Sequence, residues 1–165
     1  VEMLVYTQTS PDITRLLDTI KETGSGDTIP LTIDQTSGFT WPWAWYLRDK
    51  KKVNFPSYGN TTVISDPGAP IVIVHSQNQE AANEGLSNLY TEGTRIRHRW
   101  WFPESTYRDL TPTKFVKAIF DRDSWRRTMT YWLNREGVSD RLASEDSYVY
   151  FQQGFEQNFS TQPDK

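Results

Sequence analysis

Two ionisable side chains stand directly after apolar runs, the places where α/β proteins often do chemistry. Asp34 follows residues 29–33, and His75 follows Ile71-Val72-Ile73-Val74. Brought together, a carboxylate and an imidazole could work as an acid–base pair. Their neighbours are amides and hydroxyls: Gln35 and Ser37 after Asp34, Gln77 after His75, and Gln8 and Ser10 after a third apolar run. Open parallel sheets bind ligands beyond the carboxyl ends of their strands, which would gather residues 7–10, 34–40 and 75–78 on one edge. Trp41 and Trp43 add flat apolar faces there, and rings beside amides and hydroxyls suit a sugar. A plainer account also holds, because every strand-to-helix loop needs polar caps and turn residues. A histidine after a strand likewise serves a structural hydrogen bond in many folds.

Other chemistries lack the residues they need. Two histidines without ligand spacing, no cysteine and no Asp-rich loop leave metal binding unsupported, and no cofactor is expected. Thr36-Ser37-Gly38 has one glycine where dinucleotide or P-loop fingerprints need several. Ser10 and Ser37 lack the glycine-flanked setting of a nucleophile elbow. No residue is assigned a catalytic role. Arg95, Arg97 and Arg99, with His98, Trp100 and Trp101, mix cations and rings as phosphate-binding surfaces do. Alternation along a strand would send them to opposite faces, which favours a solvated edge.

Strands and helices must position these groups. Met3-Leu4-Val5-Tyr6 reads as a strand, and Ser10-Pro11-Asp12 opens a helix with a hydroxyl cap, a proline and a carboxylate facing the dipole. Ile13, Leu16, Leu17 and Ile20 give that helix one apolar stripe, and Gly24 and Gly26 mark its end. Residues 29–33 form the next strand, and Pro42 suits the first position of a helix running to about Asp49. Trp41, Trp43, Trp45 and Tyr46 cannot share one narrow stripe, so some pack inside while others face a neighbour or ligand. Residues 53–55 and 61–64 are short strands, 71–74 a buried parallel strand, and 79–90 a helix interrupted by Gly85. Residues 94–102 form a strand closed by Pro103 and Glu104. Thr111-Pro112 starts a helix with Phe115, Val116, Ile119 and Phe120 on one face. Asp123 caps another, carrying Trp125, Met129, Trp132 and Leu133 and ending near Gly137, and residues 148–151 close the fold as an aromatic strand.

The alternation predicts an α/β fold: a three-layer, Rossmann-like, mostly parallel sheet with helices on both faces. Its 165 residues suit a single domain over residues 1–152, with 153–165 a polar tail. A net charge of −3 argues against a nucleic-acid partner, and no apolar run is long enough to span a bilayer. The chain opens within an expected strand and without Met, as a piece of a longer protein would.

Trp41-Pro42-Trp43-Ala44-Trp45-Tyr46-Leu47-Arg48-Asp49, preceded by Thr32-Ile33-Asp34, resembles the soluble C-terminal part of a group of multi-spanning membrane proteins. These are bacterial and archaeal proteins related to dolichyl-phosphate-mannose-type glycosyltransferases and labelled flippase-activity-associated. Val5-Tyr6-Thr7 leading into Ser10-Pro11-Asp12, then Ile71-Val72-Ile73-Val74, Trp132-Leu133-Asn134-Arg135-Glu136 and Tyr148-Val149-Tyr150-Phe151, follow in the same order, covering residues 3–151. The resemblance implies an extracytoplasmic domain carried after a bundle of transmembrane helices. In such enzymes the acidic catalytic residues lie in loops of the membrane portion, so none is carried over to this chain. The implied role is accessory: docking on the transmembrane part of its own parent chain, or contacting a glycan, a polyprenyl-phosphate sugar or the acceptor. A free-standing carbohydrate- or small-molecule-binding module, and a small α/β hydrolase or transferase using Asp34 and His75, are the alternatives.

Overall fold

The computed structural model describes residues 7–22, 28–59, 61–101, 111–134 and 143–155. The strand expected at residues 3–6, Gly24, Gly26, Pro103, Glu104, Gly137 and residues 156–165 of the tail lie outside them. The chain divides into two compact units, a smaller one of residues 1–11 and 99–144 and a larger one of 12–98 and 145–165.

The six strands are β1 (Gln8–Thr9), β2 (Leu31–Ile33), β3 (Val53–Asn54), β4 (Ile71–His75), β5 (Thr94–Trp101) and β6 (Ala143–Phe151), hydrogen-bonded in the order β1-β5-β6-β4-β2-β3. β2 is parallel to both β3 and β4, with Leu31 opposite Val53 and Ile71. β4 is antiparallel to β6, with Ile71 opposite Phe151 and His75 opposite Ser147. β1 is antiparallel to β5. The sheet is therefore mixed, which corrects the expected mostly parallel, Rossmann-like arrangement. A buried apolar run such as Tyr148-Val149-Tyr150-Phe151 reads the same in either direction. Its polarity is set at its far end, where Gln152 N–H donates to Pro70 O at 2.9 Å and Thr91 N–H to Phe151 O at 2.8 Å. The first bond ties the end of β6 to the start of β4, and the second ties it to the segment that leads into β5.

In the larger unit, β4 is buried along its whole length, so its alternate side chains serve two faces. Ile71 and Ile73 join Leu31, Ile33 and Val149 under helix α1 (Pro11–Glu22), whose Ile13, Leu17 and Ile20 are buried. Phe39, Trp43 and Leu47 complete this cluster. Trp43 opens helix α2 (Trp43–Tyr46), which spans four residues rather than running to Asp49. Pro42 is its N-cap, after a cis Trp41–Pro42 peptide. Val72, Val74 and Tyr150 face the other way, onto Ala81, Ala82 and Leu86 of helix α3 (Gln79–Leu86), with Ile64 and Tyr90. The strand expected at residues 61–64 is instead irregular backbone laid on α3, where Ile64 N–H donates to Ala81 O at 3.0 Å. That approach explains Gly85, through which α3 runs unbroken: a Cβ there would stand 2.0 Å from Ile64 O.

In the smaller unit, Thr111 caps helix α4 (Pro112–Phe120), its hydroxyl accepting from Lys114 N–H. Helix α5 (Arg122–Asn134) follows after one residue. Its cap is Asp121 rather than the expected Asp123. One Asp121 oxygen accepts from the Ser124 hydroxyl at 2.6 Å and from Ser124 N–H at 3.0 Å. These donors, the hydroxyl foremost, hold the Asp121 carboxyl below its usual range. Tyr131 anchors α5 inward: its ring meets Trp100 edge-on at 6.0 Å and its hydroxyl donates to Gln8 Oε1 at 2.8 Å.

Gly85→Ala should lower stability by about 2–3 kcal/mol, because the Ile64 carbonyl is backbone and must be displaced. Gly59→Ala, with its nearest neighbour at 3.7 Å, should stay within about 0.5 kcal/mol. Urea unfolding of both variants tests this, and equal midpoints would refute the packing account. A second expectation concerns alkaline pH. Burial pushes the phenols of Tyr58 and Tyr150 up to about 12, with the charge of Asp34 adding at Tyr58. Burial, then the hydrogen bond to Asp66, raises Tyr90 as well. The fold favours the protonated phenols, so their contribution is complete below the unfolded value of about 10 and is lost as pH rises from there toward 12. Urea midpoints should fall steeply between about pH 10 and pH 11 while staying level between about pH 8 and pH 9.

Candidate functional site

The structure brings Asp34 and His75 together, joined through the His75 backbone N–H. Asp34 is fully buried at the end of β2. Its Oδ1 accepts from Thr36 N–H at 2.8 Å, the Thr36 hydroxyl at 2.6 Å and Tyr58 N–H at 3.5 Å. Its Oδ2 accepts from His75 N–H at 3.2 Å and the Asn78 side-chain amide at 2.6 Å. Five donors occupy the lone pairs a general base would need. Asp34 meets His75 through the backbone N–H and not through the imidazole, so the two form no acid–base couple.

The His75 ring is buried and engaged at both nitrogens. Nδ1 accepts from Gln77 N–H at 3.1 Å, and Nε2 lies 2.7 Å from Glu145 Oε1. An acceptor role for Nδ1 puts the proton of the neutral ring on Nε2, where it donates to the carboxylate. The other Glu145 oxygen lies 4.0 Å from Nδ1 of His98. His98 is fully buried, with its ring centroid 4.0 Å from that of Phe39 and nearly parallel to Trp43 at 6.1 Å. Glu145 thus lies within 4.0 Å of both imidazoles, and the sequence reading passes over it. That reading starts the last strand at Tyr148, whereas β6 begins at Ala143. Extending the β6 alternation back from Ser147, which faces His75 in the β4 register, would have put Glu145 on the same face.

Around this buried centre the two loops do meet. The Ser37 hydroxyl donates to Gln77 Oε1 at 3.3 Å, and Gln35, Ser37 and Gln77 are exposed. Ser37 sits in a 3-10 turn with φ of 56°, next to Gly38 at 75°. Gln8 and Ser10 belong to the smaller unit and are buried there, Gln8 within β1 rather than in a loop. The tryptophans part company. Trp43 is core, with no exposed surface, while Trp41 and Trp45 are 57% and 55% exposed. Their ring centroids lie 6.2 Å apart, and the Arg48 guanidinium sits 4.8 Å over the Trp45 ring. Tyr46 is exposed beside them. Among the described residues no cluster of His, Asp and Glu has the arrangement of a metal site.

Asp34→Ala should cost about 3 kcal/mol or more, because it strands several buried donors at once, while exposed Gln35→Ala should stay within about 0.5 kcal/mol. Chemical denaturation reads both, and an Asp34→Ala midpoint equal to that of the unaltered chain would show that the carboxylate does not hold the loops. No known protein family, curated protein or solved structure matches the chain, so the kinship suggested by the tryptophan motif stands on the residues alone.

Proposed function

We propose that the chain is a non-catalytic, extracytoplasmic accessory domain of a multi-spanning, glycosyltransferase-like membrane protein, and that its Trp41–Trp45 face contacts the glycan or lipid-linked sugar. The observation that carries the reading is the pair of exposed rings. Trp41 and Trp45 stand side by side in solvent while Trp43, between them in sequence, is in the core. A sugar ring offers C–H faces that pack on an indole and hydroxyls that need amides, and Gln35, Ser37 and Gln77 are exposed on the loops of the same unit. The saturated state of Asp34 and His75 favours binding over proton transfer. Among the described residues no helix is long and apolar enough to cross a membrane, so in this reading the membrane anchor belongs to the rest of the parent chain.

A panel of oligosaccharides screened by thermal shift should find a ligand whose affinity falls about tenfold or more in Trp41→Ala and Trp45→Ala, without loss of unliganded stability. Absence of any glycan ligand, or affinity unmoved by both variants, would remove the sugar contact. An antibody to the domain should find the native protein in washed membranes. Recovery in the soluble fraction would instead make the chain a free-standing carbohydrate-binding module.

A further inference from the structure

The apolar stripes of α4 and α5 are exposed; on α4 every residue is exposed, while α5 has Tyr131 buried on its other side. Phe115, Val116, Ile119 and Phe120 are all exposed on α4, Phe120 at 85%. On α5 the same holds for Trp125, Met129, Trp132 and Leu133, the last at 80%. Helical spacing puts each set of four on one side of its helix, with Lys117 next beyond Phe120 around α4 and Arg122 and Arg126 at the margin of the α5 stripe. The α5 stripe has not merely failed to find a core. Tyr131, on its other side, is buried against Trp100 and Gln8, which fixes the outward direction of the tryptophans. The two helices are tied to each other by the Trp125 indole N–H, which donates to Ile119 O at 2.7 Å.

We propose that α4 and α5 form an interfacial helix pair that lays this apolar face into the surface of an anionic phospholipid bilayer. Charge selects this occupant. Residues 112–134 carry five cations against two carboxylates, in a chain whose net charge is −3. A second copy docked on the same face would bring like charges together, whereas an anionic surface complements them. A groove beside α5 is lined by Arg122, Asp123, Trp125, Arg126 and Met129. Two guanidiniums lining one groove with Trp125 and Met129 suit a phosphate headgroup beside an acyl chain, and Asp123 holds Arg126 at 3.6 Å. Tryptophans with a cationic border are the composition that settles at the headgroup level. At nine and thirteen residues the helices are too short to cross the hydrocarbon, so they lie along it. The inference goes beyond the sugar reading, since it rests on α4 and α5 alone.

The test uses the 165-residue chain with vesicles of phosphatidylcholine mixed with phosphatidylglycerol, against phosphatidylcholine alone. The chain should co-sediment with the mixed vesicles, with a blue shift of tryptophan emission, and partition should fall as salt rises. Phe120→Ser with Leu133→Ser should reduce partition about tenfold or more, and Lys117→Glu with Arg126→Glu should remove the preference for phosphatidylglycerol. Leu89→Ser, an exposed leucine of the larger unit, should change neither, and circular dichroism verifies that each variant is folded. Failure to bind mixed vesicles, or binding unmoved by the serine pair, overturns the proposal. So does self-association, seen by sedimentation, that the serine pair abolishes while vesicle binding is absent.

Discussion

The constraint on which the larger unit depends is a carboxylate buried among hydrogen-bond donors. Asp34 has no exposed surface, and among the described residues five hydrogen bonds reach its carboxylate. Those bonds come from the 3-10 turn after β2, from the last residue of β4, from Asn78 at the start of α3 and from Tyr58. A buried anion is costly unless fully hydrogen-bonded, so the donors have to be delivered in register. The parallel pairing of β2 with β4 does this, because it places Asp34 N–H on Ile73 O and leaves His75 N–H within reach of the carboxylate. Loop geometry, sheet register and the orientation of the His75 ring are one arrangement. A residue that looks like a general base is the pin that holds the loops a ligand would meet.

This shows what the sequence could and could not disclose. The strand-to-loop edges at Asp34 and His75, the helix opened by Ser10-Pro11, the Thr111 cap and the strands near residues 53, 71 and 94 were all legible, because caps and apolar periodicity are local. Strand direction was not, since β6 pairs with β4 through contacts made some eighty residues apart along the chain. Gly85 was misread as a helix break because its reason is the Ile64 backbone, which no local pattern reveals. The role of Asp34 was hidden for the same reason. Its residue type suggested chemistry, while the count of donors around it, two of them from residues 75 and 78, decides against it.

Glu145 is the converse case. It lies in an Ala143–Phe151 strand whose polar first half carries no strand signal, yet antiparallel pairing with β4 brings it to His75, and β5 brings His98 within 4.0 Å. The cluster of one carboxylate and two imidazoles is packed beneath Phe39 and Trp43. It therefore couples the middle tryptophan of the motif to the sheet. With Trp43 fixed in this way, Trp41 and Trp45 on either side must emerge, as alternate packing of a short turn requires. Core formation and ring exposure in the motif are two consequences of one anchoring contact.

The same logic separates the aromatic residues that build this protein from those it presents. An amphipathic helix in a sequence predicts only that its stripe will meet something apolar; it does not say whether that is the chain's own core. In α1 the stripe meets β2 and β4 and is buried. In α5 the anchoring falls to Tyr131 on the other side, and the stripe of Trp125, Met129, Trp132 and Leu133 is left in water. Exposed apolar surface of that extent disfavours a solitary monomer and is retained where it is used. Because cations border it and Tyr131 fixes its direction, the face is matched to a surface that is both apolar and anionic. That combination is what a phospholipid headgroup region offers and what a protein groove supplies only by special construction.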